Sequence, residues 1–128
     1  MKTQLMIAGL TIGALSSIQL GRAQEPPRKD AGSAFSELRS VDLVLGRKLR
    51  MCLHRIEPGG TIAVPRHDGR PAVSYVLKGT MISRRIGKPD QVLHVGDGLA
   101  EAPDGPPHWL VNNSNEPVEF VEVDLFRP

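Results

Sequence analysis

The sequence predicts an all-β fold, a single domain in which short strands close into a small barrel or sandwich. Three observations carry that expectation. The chain has 128 residues, room for one ordinary domain and too little for two. From Leu38 onward its apolar and β-branched residues come in short runs, several with a two-residue period. Clusters of Gly, Pro, Asn and Asp separate those runs, drawing on 13 Gly and 11 Pro in the chain. Closure is expected because an open sheet of many short strands would expose unpaired edges.

Residues 1–23 read as a secretory signal peptide. Met1 to Gln4 carries one positive charge, and Leu5 to Leu20 is apolar and uncharged. Gly21 and Ala23 then stand at the −3 and −1 positions of a cleavage site. Thr11, Ser16, Ser17 and Gln19 interrupt the apolar run, so no stable membrane span is expected after signal cleavage. The expected mature chain, 24–128, is exported, periplasmic or secreted. Residues 24–36 read as a flexible leader, with Pro26-Pro27 and Arg28-Lys29-Asp30 offering few side chains to bury. Residues 37–128 form the barrel domain.

Leu49 to Ile56 alternates cleanly: Leu49, Met51 and Leu53 point one way, Arg50, Cys52 and His54 the other. Glu57-Pro58-Gly59-Gly60 is expected to end it, and Thr61 to Val64 to be a separate short run. Val73 to Lys78 places Val73, Tyr75 and Leu77 on one face. Gly79-Thr80 connects it to Met81–Ile86. Gln91–Val95, Leu99–Ala102 and His108–Val111 follow as short strands, and Val118–Phe126 is the last long one. The loop Pro103-Asp104-Gly105-Pro106-Pro107 fixes the approach to His108.

The formal net charge of +2 belongs to the whole chain; without Lys2 and Arg22 it falls to 14 basic against 14 acidic residues. A neutral domain lacks the electrostatic footprint of a nucleic-acid binder, so no nucleic-acid partner is expected. Residues 28–88 are rich in Arg and Lys and 89–128 in Asp and Glu, which a closed antiparallel fold can balance across neighbouring strands. One cysteine excludes an intramolecular disulfide framework. There is no phosphate-cradling glycine loop, HExxH pair or CxxC.

Between Leu49 and Leu125 the sequence resembles the cupin superfamily. Gly59 is followed by Pro65, His67, Ala72 and then Gly79 in YVLKG. Further on, Gly96-Asp97 precedes Pro103, Gly105, His108 and Asn112 in PDGPPHWLVN. The resemblance implies a jelly roll, or double-stranded β-helix. It also implies one divalent metal ion (iron, manganese, zinc or nickel) held by three His and a Glu. Of that quartet this chain keeps His67 and His108, while Pro65 and Ala72 stand at the other two places.

Two chemistries remain open. Glu101, with His54 from a neighbouring segment, could complete a displaced two-His-one-carboxylate site with His67 and His108. Alternatively, the pocket binds a small molecule without metal, using His67, His108, Tyr75, Arg70 and Arg66 as polar contacts. The two arginines favour a carboxylate. The functions expected are therefore an exported small-molecule-binding protein with a degenerate metal site, or a metal-dependent oxygenase or isomerase. A non-catalytic dimeric module is the third, and a homodimer is compatible with each. Gly59, Gly79, Gly96, Pro103, Gly105 and Asn112 serve backbone geometry.

Overall fold

The computed structural model describes residues 29–64 and 70–127, which leaves the signal segment, most of the leader, Arg66 and His67 outside the described residues. Eight strands form one nearly closed sheet: β1 (Ala31–Asp42), β2 (Lys48–Val64), β3 (Ala72–Lys78), β4 (Met81–Arg85), β5 (Gln91–Leu93), β6 (Gly98–Glu101), β7 (His108–Val111) and β8 (Val118–Phe126). Their order is β5-β4-β7-β2-β8-β3-β6, with β1 added along β2. The neighbours are antiparallel. The expectation of an all-β jelly-roll barrel is met.

Two element boundaries differ from the expectation. Glu57-Pro58-Gly59-Gly60 bends β2 but does not end it: Lys48–Ile56 pairs with β8 and Thr61–Val64 pairs with β7. Gly59 takes φ +77° at the bend and its N–H donates to the Asn112 carbonyl at 2.8 Å. A side chain on Gly60 would stand 2.5 Å from the Gly32 carbonyl oxygen, so the bend requires that glycine. The second difference is that β1 begins at Ala31, inside the segment expected to be a flexible leader. Most of β1 is exposed, so its order comes from its ladder to β2 rather than from buried side chains.

Alternation sorts the strand residues into an interior and an outer face. On β3, Ala72, Ser74 and Val76 are buried while Val73, Tyr75 and Leu77 are exposed. Inward residues line up across the register: Arg50, Asp124, Ala72 and Glu101 form one row, and His54, Phe120 and Val76 another. The core is Ile56, Val76, Met81, Leu93, Leu99, Leu110, Val118 and Phe120. The apolar core therefore fills one end of the barrel and polar side chains occupy the other. Arg50–Asp124 and Arg55–Glu119 join β2 to β8, which is how the basic first half and acidic second half balance.

Candidate functional site

The polar end centres on Glu101 and His108. Glu101 is the last residue of β6 and His108 the first of β7, joined by residues 102–107. The Gly105 N–H donates to the Ala102 carbonyl at 3.0 Å and closes that loop. Strand alternation directs Glu101 inward with Leu99, while β7 is buried along its whole length. The Glu101 Oε1 lies 2.6 Å from His108 Nε2, and both side chains are 2% exposed. A hydrogen bond between a buried carboxylate and imidazole at that distance is strong, because little water competes for either group.

Glu101 is also the direct cross-strand partner of Ala72. Directly opposite residues hold their Cβ atoms about 5 Å apart on the same face. Glu101 stands one strand over from Ala72, in the same row.

Behind this pair, Arg50 grips Asp124 in two parallel bonds, Nε–Oδ1 at 2.9 Å and Nη2–Oδ2 at 2.6 Å. Those bonds to Asp124 raise the Arg50 pKa further and keep the guanidinium charged. Its carbon also lies 3.8 Å over the Phe126 ring. Asp124 and Glu101 flank Ala72 on opposite strands. Cys52 is buried on the same interior face, and burial pushes its thiol pKa upward.

The other sequence candidates are dispersed. His54 does not join Glu101 and His108. It stacks between Phe120 and Phe35, at centroid distances of 4.7 and 5.7 Å, with its Nε2 3.4 Å from Glu122 Oε1. Its row is that of Val76, four residues along β3 from Ala72, or about 13 Å at the rise of a strand. Tyr75 is on the outer face and half exposed, so it does not line the interior. Arg70 is half-buried beside Phe126, its guanidinium carbon 5.7 Å from the ring centroid. His67 and Arg66 lie outside the described residues.

Gly79, Gly96 and Asn112 have identifiable backbone roles. Gly79 and Gly96 adopt φ +77° and +92°. Asn112, fully buried, donates from Nδ2 to the carbonyls of Ile56 and Glu116 and accepts from Ser114 at Oδ1. Sequence reasoning missed the Arg50–Asp124 clamp. Its signal was Arg50 alternating into the same face as Cys52 and His54, opposite the acidic positions of the last strand.

Among the described residues no group of three or more His, Cys, Asp or Glu side chains is placed to hold a metal ion. Glu101 and His108 supply two donors, one short of a facial three-ligand set. The described residues therefore do not constitute a metal centre by themselves.

The pattern of the family described as Cupin domain matches residues 52–124. Solved structures with the same fold include the Cupin_2 domain of an XRE family transcriptional regulator from Enterobacter cloacae. It is 21% identical, with 77% of this chain and 100% of that one covered at a TM-score of 0.63. A sugar phosphate isomerase from Silicibacter pomeroyi is 23% identical, with 65% and 61% covered at a TM-score of 0.55. An oxalate oxidase in complex with the substrate analogue glycolate is 22% identical, with 73% and 50% covered at a TM-score of 0.57. No curated protein matches the sequence.

Proposed function

The chain belongs to the cupin family, and on that premise we propose that it is an exported small-molecule-binding protein whose ligand enters the polar end of the barrel. The observation that carries this reading is the buried Glu101–His108 pair, set where the two ends of the 102–107 loop meet. A buried polar pair opposite an apolar core supplies orientation and apolar contact together, which is what a small-ligand site needs. The ligand class we favour is a small carboxylate. Arg70 beside the polar end supports it, as does Arg66 next to His67 in sequence. The neighbouring oxalate oxidase holds glycolate, itself a carboxylate.

The test is calorimetric titration of the purified chain with a panel of small mono- and dicarboxylates and their neutral amides. Saturable binding of an acid, lost in His108→Ala and absent for its amide, is the expected result. Binding unaffected by His108→Ala would overturn the placement of the site. Export is tested by N-terminal sequencing of protein recovered outside the cytoplasm, with Gln24 as the expected first residue.

A second reading, a metal-dependent oxygenase or isomerase, draws its support from Glu101 standing across from Ala72. His67, His108 and Glu101 would be the ligands of an iron, manganese, zinc or nickel ion. Such an ion would supply Lewis acidity or an oxygen-binding position. One equivalent of metal in tag-free protein, lost in Glu101→Ala, would favour this reading over the metal-free one. We also propose that the protein is a homodimer, which sedimentation velocity across a dilution series tests.

A further inference from the structure

Polar groups buried in a folded chain are nearly always hydrogen-bonded, and each exception asks for a reason. β4 carries two such exceptions. Met81, Ser83 and Arg85 alternate to its inner face, where Met81 belongs to the apolar core. The Ser83 Oγ and the Arg85 Nε are both buried, and neither has a hydrogen-bond partner among the described residues. Ser83 is 2% exposed. Arg85 is half-buried, so part of its side chain still reaches water. The direct cross-strand partner of Arg85 is His108, which holds their Cβ atoms about 5 Å apart on one face. Ser83 lies opposite Leu110, one row nearer the core. The other charges of the polar end are already matched: Arg50 grips Asp124, and Glu101 lies 2.6 Å from His108 Nε2. Among the described residues no carboxylate pairs with Arg85.

We propose that Arg85 and Ser83 form the subsite that receives the acid group of the ligand, beside His108. The assignment rests on the polar end being a small-carboxylate site, and it names the residues that recognise the charge. Both orphan groups can donate, so an acceptor fits them and a second donor does not. The planar guanidinium fork matches the two oxygens of a carboxylate. Its Nε is already stripped of water in the empty protein, so seating an anion there carries little further desolvation cost. Glu101 occupies His108 Nε2, so an acid approaching that imidazole needs a cation of its own, and Arg85 stands directly across. A monoanion fits better than a phosphate. One unmatched cation faces it, and the neighbouring Glu101 carboxylate would repel a second negative charge. Ser83, one row deeper, is placed for another oxygen farther along the ligand.

Calorimetric titration of the purified chain with acetate, glycolate, lactate, succinate and benzoate, and separately with inorganic phosphate, tests the assignment. Wild-type protein is expected to bind at least one of the acids saturably. Arg85→Ala should weaken that acid by about twentyfold or more, and Ser83→Ala by about threefold to tenfold. Lys88→Ala, in the exposed turn after β4, removes an equal charge and should bind as wild type. Ligand-free Ser83→Ala should melt at or above the wild-type temperature, since it removes a buried hydroxyl that has no partner. A serine with a merely structural role would melt lower on substitution. Nuclear magnetic resonance of the arginine Nε–H groups gives a second readout. The Arg85 signal, assigned by its absence in Arg85→Lys, should move downfield as acid is added, while that of Arg50, bonded to Asp124, stays in place. Wild-type-like acid binding in Arg85→Ala, with loss in His108→Ala, overturns this assignment and leaves the carboxylate reading standing. Failure of the wild type to bind any of the acids overturns both. Arg85-dependent binding of phosphate, tighter than that of any acid, overturns the ligand class.

Discussion

At the residue scale, the pair Glu101–His108 sets the sharpest expectations. Both side chains are almost fully buried, so deleting one leaves the other desolvated without this partner. Glu101→Ala is expected to cost about 2–4 kcal/mol in urea unfolding. Glu101→Gln, which keeps a hydrogen-bonding oxygen, should cost less than half of that. Cys52 gives a pH-dependent expectation with a definite sign. Burial raises its pKa in the folded protein, so the unfolded chain loses its thiol proton first as pH rises. Stability should therefore be unaffected by this group below the ordinary thiol range and decline above about pH 8.5. Urea unfolding at neutral and alkaline pH checks it, and Cys52→Ala should remove that part of the decline. The Glu101 position shows what sequence alone could and could not say. The sequence offered it as a candidate acid beside His67 and His108, but inward direction depends on register with Ala72, a relation between strands 29 residues apart.

At the element scale, β3, β4 and β8 were legible because each carries its own alternation, and β7 because turn residues bound its short apolar run on both sides. The stop expected at Glu57–Gly60 is instead a bend, since local turn chemistry does not reveal that β7 and β8 lie on either side of it. β1 escaped the sequence reading for the opposite reason. Its residues are too polar to announce a buried strand, and its order is borrowed from β2. Gly60 joins the two features, because a Cβ there would meet the carbonyls of Gly32 and Glu57. Gly60→Ala should destabilise the fold by about 1–3 kcal/mol, since β1 or the bend must shift. Hydrogen exchange should show the loss concentrated in the amides of the β1 ladder. A uniform loss across all strands would contradict that local account.

At the scale of the whole molecule, β1–β2 and β4–β5 are local hairpins but the other five pairings are not: β2 waits for β7 and β8, and β3 waits for β8. Loop-closure entropy must be met before those contacts form, which places refolding in the millisecond-to-second range of all-β domains. Trp109, the single tryptophan and 6% exposed, is a natural probe for stopped-flow refolding. Microsecond refolding at its signal would contradict the pairing order. The fold class was readable because turn spacing and cupin motifs point the same way. The half-exposed apolar face was not, because Val73, Tyr75 and Leu77 read equally well as a core stripe until Ala72, Ser74 and Val76 are seen to occupy the inside. The Glu101–His108 contact has one more consequence. Its two members are seven residues apart on a short tether, so each meets the other at an effective concentration on the order of millimolar or above. Any ligand that reaches His108 competes with an acid already in place. In the proposed binding function, a carboxylate must therefore outcompete that tethered acid for His108, and the pair sets an affinity threshold below which none is held.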